Sequence, residues 1–285
     1  MHRVAVVTDS TTAIPNAIAR EHNLTIVPLN LIWDGKSYLD GIEITPAQFY
    51  ERLVQSETLP TTSQPSVGMF AQTYTRLIEQ GFDILTIVIS EKLSGTYQSA
   101  IQAAEFFPKN RITVLDSKQG SMPLAIAALI TAQAAQRGAT LLECTNLAND
   151  ICTRVRTLFV VDTLEYLHKG GRIGGATRWI GTALKMKPIL ELKDGLIEPF
   201  EKVRTFKKAT ERVFEVAEAE LGTQGTIEYL GIVTANAPQV GDELLSMAHQ
   251  RFHVRNEFTG LISPVIGAHV GPGTVGFVYL PAKKA

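Results

Sequence analysis

Over the first half of the chain the apolar positions gather into short runs, VAVV at 4–7, ILTIVI at 84–89 and ITVL at 112–115, separated by stretches of helical character. Runs that are apolar on both faces belong to strands covered on both sides, so the pattern predicts a parallel sheet sandwiched by helices. Helix starts are marked as well. Thr45-Pro46-Ala47-Gln48 has the form of a capping box with proline at the first helical position, and Ser66 and Ser121 stand where helix caps are expected. The stretch TIVPLNLIWDGKSYL departs from this rhythm and predicts a hairpin turning at Asp34-Gly35.

Beyond Phe159-Val160-Val161 the pattern mixes. PILELKDGLIEPF predicts a second hairpin, turning at Asp194-Gly195. An amphipathic helix follows at about 206–221, then the strand YLGIVTA, a helix near 241–252, and terminal strands NEF and GFVYL. Two-residue turns join antiparallel neighbours, so this half reads as α+β, a mostly antiparallel sheet with helices on one face. The expected fold is therefore α/β in two domains: an N-terminal Rossmann-like parallel-sheet α/β domain over 1–155 and a C-terminal α+β domain over 156–285. With no repeat or low-complexity linker between them, the domains are expected to abut and leave a cleft.

Length supports that division, since 285 residues exceed the size at which a single core stops growing and suit two domains of about 150 residues. A net charge of −1 and a pI near 6.6 remove the electrostatic footprint of nonspecific nucleic-acid binding, so nucleic acid is not an expected partner. VAVV is too short for a secretory apolar core, and LAIAALITA at 124–132 covers about half a bilayer, so it reads as a buried helix. The expected location is cytoplasmic. Cys144 and Cys152, eight positions apart on a predicted helix, fit neither a zinc knuckle nor a CxxC redox pair and read as reduced thiols.

Candidate chemistry sits in hydroxyl-rich loops. In an open parallel sheet, ligands gather beyond the carboxyl ends of the strands, where helix N-termini and loop amides converge. TDSTT at 8–12, SEKLSGT at 90–96 and LDSKQGS at 115–121 follow strands, and PTTSQPS at 60–66 precedes a helix of the same domain. Each Ser, Thr or Asp taken alone is better read as a helix cap. If the four loops converge, they form a site able to hold one carboxylate without a metal, and Ser94-Gly95-Thr96 offers it both a hydroxyl and backbone N–H groups.

Several motifs are excluded. GPGTVG at 271–276 matches a dinucleotide fingerprint in letters but precedes a terminal strand rather than opening a helix. His249 and His253, four apart on a predicted helix, lack the glutamate of a zincin. Neither a P-loop nor a G-x-S-x-G elbow occurs, and Asp9 and Asp116, at strand ends, lack the second aspartate of a D-x-D phosphatase and read as caps. His269 stands amid three glycines and a proline in GAHVGPG, a loop built for close backbone approach in which the ring is either structural or functional. Between Glu165 and Glu191 the chain has no acidic residue but carries Lys169, Arg172, Arg178, Lys185 and Lys187. That segment is either a solvated face or a positive patch for anionic ligands, and its glycine pairs favour an ordered loop that a ligand or partner can approach.

VAVVTDSTTAIP, PTTSQPSVGMF, LSGTYQSA, VLDSKQGS, TLEYLHKGGRIGG and VIGAHVGPGTVGFVY together resemble, in order and over essentially the whole chain, the DegV family of bacterial fatty-acid-binding proteins. The resemblance implies an α/β domain followed by an α+β domain, with a long-chain fatty acid in a tunnel at their junction. It places the carboxylate on Thr62 and Ser94, with the Gly95 amide, His269 and Arg172 in the same region. It also implies a non-catalytic carrier without a cofactor, which lends the acid to a separate ATP-dependent fatty acid kinase for phospholipid synthesis and touches membranes transiently for lipid exchange. The one departure from the family pattern is Glu91-Lys92 ahead of LSG, where small residues are common. A rival of another class is an acyl-processing enzyme with Ser94 as nucleophile and His269 as its base.

Overall fold

The computed structural model describes residues 3–181 and 186–283. The chain divides into two compact units, one made of Met1–Ile44 and Pro60–Thr153, the other of Thr45–Leu59 and Arg154–Ala285.

The first unit holds a four-stranded parallel sheet. Its strands are β1 (Arg3–Asp9), β2 (Leu24–Val27), β6 (Phe82–Val88) and β7 (Ile112–Asp116), in the order β2-β1-β6-β7. Val6 lies opposite Leu24, Ala5 opposite Ile84, and Ile84 opposite Ile112. Residues 4–9 of β1 and 84–88 of β6 are buried, as strands covered on both faces must be. On one side α3 (Val67–Glu79) and α4 (Thr96–Ala104) bring Phe70, Tyr74, Leu77, Ala100 and Ala103 onto Ala5, Val7, Ile84 and Val88. There Thr86 donates to the Tyr74 hydroxyl at 2.9 Å, so the polar tip of that buried ring is satisfied. Also packed on β1 is α5 (Met122–Gln136), apolar around nearly its whole circumference. The unit is completed by α1 (Asn16–Glu21) and α6 (Leu141–Arg154), whose two cysteines are buried and free.

The hairpin at Asp34-Gly35 is present. It joins β3 (Asn30–Trp33) to β4 (Lys36–Leu39), and its two turn residues have φ of 50° and 76°, the left-handed pair that a tight turn between twisted strands requires. A third strand, β5 (Thr61–Ser63), pairs with β3 and sets Thr62 opposite Leu31. The hydroxyl-rich stretch is therefore partly an edge strand rather than a loop. Ser66 caps α3 by accepting from the Met69 amide at 3.2 Å. Ser121 does not cap α5: its backbone has φ 58° and ψ −139°, which carries its side chain away from the helix amides.

The division is not a single cut at 155. Helix α2 (Pro46–Gln55) has its expected capping box, with Gln48 donating its amide to the Thr45 hydroxyl at 3.3 Å and the Gln48 side chain accepting from Thr45 N at 3.0 Å. Yet α2 belongs to the second unit, because its buried Phe49 and Tyr50 pack there: the Tyr50 hydroxyl donates to the Ile262 carbonyl, and a Cβ added at Gly267 would stand 2.6 Å from that hydroxyl oxygen.

In the second unit seven strands form one sheet: β8 (Arg156–Val160), β9 (Lys187–Lys193), β10 (Leu196–Val203), β11 (Thr226–Thr234), β12 (His253–Val254), β13 (Glu257–Leu261) and β14 (Val275–Pro281). The order is β10-β9-β8-β14-β11-β12, with β13 also pairing with β11, and pairing is antiparallel except where β12 and β13 meet β11. The turn at Asp194-Gly195 again has two positive φ values, 50° and 81°. Helix α8 (Phe206–Leu221) and α9 (Pro238–Arg251) cover one face, where Val213, Phe214, Leu244 and Ala248 meet Leu158, Ile189, Ile232 and Phe277. Two further helices are short. They are α7 (Glu165–Lys169) and α10 (Pro264–Val270), and they pack on each other. The mixed parallel and antiparallel architecture is the expected fold class.

Candidate functional site

The site residues of the first unit come from two neighbouring loops. After β6 the chain makes a tight turn, in which Leu93 and Ser94 donate their amides to the Ser90 carbonyl at 3.0 and 3.1 Å, before Gly95 opens α4. Gly95 stands at the N-cap with no side chain to occupy the helix amides, and the Ser94 hydroxyl lies 2.9 Å from that of Thr96. The other loop follows β5. A Cβ added at Gly95 would stand 3.0 Å from the Cδ and Nε2 of Gln64, so the carboxamide of Gln64 rests on the Gly95 backbone. That contact brings the stretch carrying Thr62 against the turn carrying Ser94. Thr62, Ser94 and Gly95 are all half-buried. Beside them opens a cavity of about 710 Å³, lined by Asn30, Gln64, Gln98, Gln102, Ser63 and Ser99 among others, without an ionisable side chain.

Most polar groups of the other two hydroxyl-rich loops hold the sheet edge together, while the buried hydroxyls of Thr8 and Ser121 find no hydrogen-bond partner among the described residues. Asp9, fully buried, accepts from the Thr11 amide at 3.0 Å, the Thr11 hydroxyl at 2.5 Å and the Ile89 amide at 2.7 Å, and so ties the end of β1 to the end of β6. Burial pushes its carboxyl up, and those three hydrogen bonds oppose the shift. Ser10 donates to Asp40 at 2.6 Å and Thr12 to the Asp9 carbonyl at 3.0 Å. In the loop after β7, Ser117 exchanges hydrogen bonds with Gln119, and Asp116 accepts from the amides of Glu91 and Lys118. Asp9 thus caps the short 3-10 turn at 10–12, as expected, whereas Asp116 caps no helix and instead pins the turn at Lys118 to the Glu91 amide. The loops after β1, β6 and β7 are therefore hydrogen-bonded to one another at one sheet edge, and the stretch after β5 joins the β6 loop where Gln64 meets Gly95.

In the second unit Arg172 and His269 meet around Gly170. The Arg172 Nη1 donates to the Gly170 carbonyl at 2.7 Å, and a Cβ on Gly170 would overlap Nδ1 of His269 and stand 3.0 Å from its Cε1. His269 is not in a loop but in the last turn of α10, whose start is set by the Ser263 hydroxyl accepting from Ile266 N at 3.3 Å and by Pro264 at the first helical position. Gly271 then ends the helix with φ 77°, and a Cβ there would stand 2.7 Å from Cγ of the Tyr166 ring. Burial, and then the nearby Arg172 charge, lower the His269 pKa from 6.5 to about 4, so the ring is neutral at physiological pH. It offers one donor and one acceptor while Arg172 supplies the charge.

The basic segment is less positive than its letters. Lys169 pairs with Glu165 at 2.6 Å and Lys187 pairs with Asp162, while Lys185 lies outside the described residues. Gly174 and Gly175 form a 3-10 turn seated on β10, where a Cβ on Gly175 would stand 2.8 Å from the Glu198 carboxyl carbon, so this glycine pair serves packing. His249 pairs with Glu257 at 2.7 Å, and His253 lies in β12 rather than on the helix. Among the described residues no cluster of His, Cys, Asp or Glu is arranged to hold a metal, and no helix is long and apolar enough to cross a membrane. The sequence patterns marked Gly170, through the pair Gly170-Gly171, as part of an approachable loop but not as the neighbour of His269, and they missed Gln64 and Tyr166, for which no local signal stood out.

Comparison with known proteins agrees with the fold. The family model described as "Uncharacterised protein, DegV family COG1307" matches residues 3–282. A DegV domain-containing protein of Halalkalibacterium halodurans is 36% identical over 99% of this chain and 100% of its own. A fatty-acid-binding DegV family protein from Thermus thermophilus is 34% identical and superposes with a TM-score of 0.88 over 98% of this chain and 100% of that one. DegV from Bacillus subtilis, a fatty acid binding protein, is 30% identical with a TM-score of 0.88 over 99% of this chain and 100% of its own. The match runs through both units and along nearly every residue: the chain belongs to the DegV family.

Proposed function

We propose that this protein is a cytoplasmic carrier that binds a long-chain fatty acid and presents its carboxylate to a separate ATP-dependent fatty acid kinase. Thr62, Ser94 and the Gly95 amide hold the carboxylate; Arg172 supplies positive charge and the neutral His269 a further hydrogen bond. The observation that carries this reading is the superposition on the fatty-acid-binding Thermus thermophilus protein along 98% of the chain. Supporting it, the Ser94 hydroxyl finds the Thr96 hydroxyl 2.9 Å away, a group unable to serve as a general base. In this reading the bound acid needs no cofactor, contact with a membrane is brief and serves lipid exchange, and phosphorylation is the partner's chemistry.

The energetics divide the labour. At about 0.8 kcal/mol per buried methylene, a long acyl chain supplies roughly 10 kcal/mol against an association cost of about 4–15 kcal/mol. Each hydroxyl bond to the carboxylate replaces a bond to water and nets about 1 kcal/mol. The tail therefore carries affinity, and Thr62 and Ser94 fix where the carboxylate stands. The test is titration of the purified protein with oleate and with oleyl alcohol, followed by addition of a DegV-dependent fatty acid kinase with ATP. Binding of oleate and its conversion to acyl phosphate only when both proteins are present is the expected result. Turnover of an acyl ester by this protein alone would contradict it.

A further inference from the structure

Gly170 has φ −75° and ψ −9°, an ordinary right-handed conformation open to any residue. Its neighbour Gly171 differs, with φ 71° and open space where a Cβ would be. Backbone freedom explains Gly171 but not Gly170. What the absent side chain at 170 provides is room: the Nδ1 edge of His269 lies where a Cβ would project, and the carbonyl of the same residue accepts from Arg172 at 2.7 Å. One peptide unit thereby seats an imidazole and anchors a guanidinium that reach it from α10 and from the turn after α7. With the Nδ1 and Cε1 edge resting on Gly170, Nε2 is the nitrogen left further from that backbone.

We propose that Gly170 is the positioning residue of this cluster, a seat that fixes His269 and Arg172 relative to each other and leaves Nε2 of His269 as the nitrogen that meets the polar end of the acyl ligand. The inference rests on the fatty-acid reading for its ligand, but the seat itself is a property of the free protein. It makes Gly170 a selector of headgroup rather than of tail. A displaced ring no longer offers its hydrogen bond beside the Arg172 charge, which an acid needs and an alcohol does not.

The test is Gly170→Ala, titrated with oleate and with oleyl alcohol, with nitrogen NMR of the histidine side chains assigned through His269→Gln. The proposal expects oleate affinity to fall about tenfold or more while oleyl alcohol affinity changes by less than about twofold. It also expects the His269 nitrogen resonances to move and its pKa to rise from about 4 toward 6.5 as the ring leaves its buried place beside Arg172. Unchanged His269 resonances, or equal losses for acid and alcohol, would overturn it. Should Gly170→Ala fail to fold, the wild-type protein decides: oleate must shift Nε2 of His269 more than Nδ1, and the reverse refutes the seat. A wild type that bound neither lipid would sink the fatty-acid reading, while the spectra of Gly170→Ala and the wild type without lipid would still decide the seat.

Discussion

At the scale of single residues the account turns on where each polar group finds its partner. Asp9, Ser10, Thr11 and Thr12 bond at the sheet edge, whereas the Ser94 hydroxyl bonds locally to Thr96, at a helix start that Gly95 leaves without a side-chain cap beside Gln64. Thr62→Ala or Ser94→Ala is expected to lower oleate affinity about fivefold, the equivalent of about 1 kcal/mol, and to leave oleyl alcohol binding nearly unchanged by calorimetry. His269 gives a pH signature. Its pKa is about 4 in the folded protein against 6.5 ordinarily, so between those values the unfolded chain takes up a proton that the folded one refuses. Stability should therefore fall as pH drops from 6.5 toward 4, and His269→Gln should remove that part of the slope in chemical denaturation. The cysteines are inert by the same logic: both are buried, and burial pushes the Cys152 thiol up to about 12. Iodoacetamide should label neither Cys144 nor Cys152 until the protein unfolds; rapid labelling of the native state would contradict the burial.

At the scale of elements, legibility follows the length of the local signal. The two hairpins were readable because Asp-Gly pairs announce the left-handed turns that strand twist requires, and α8 because its apolar stripe repeats over four turns. Helix α10 was missed because seven residues with three glycines nearby carry no periodicity, although Ser263-Pro264 is a helix start by its cap. Strand β5 was missed because three polar residues become a strand only through β3. The allegiance of α2 was not readable at all, since nothing in its sequence says that Phe49 and Tyr50 will pack on Gly267 of a distant segment. That packing is tight. Gly267→Ala, whose Cβ would stand 2.7 Å from the Phe49 ring, should cost about 1–3 kcal/mol in a denaturation curve.

For the whole molecule, the class was visible because apolar runs and two-residue turns are local marks of parallel and antiparallel sheets, and the family because six ordered motifs span the chain. That loops gather at one edge of a parallel sheet was legible; which of their hydroxyls are consumed there was not, since LDSKQGS and TDSTT look as free in the sequence as PTTSQPS. The central claim is that the protein holds a fatty acid without altering it, and one measurement meets it head on: denature the purified recombinant protein, extract it with organic solvent, and identify the extract and the residual chain by mass spectrometry. The account predicts intact long-chain fatty acid in the solvent and an unmodified polypeptide. A lipid-free extract from a protein that also takes up no added oleate, or an acyl group left covalently on Ser94, would contradict it.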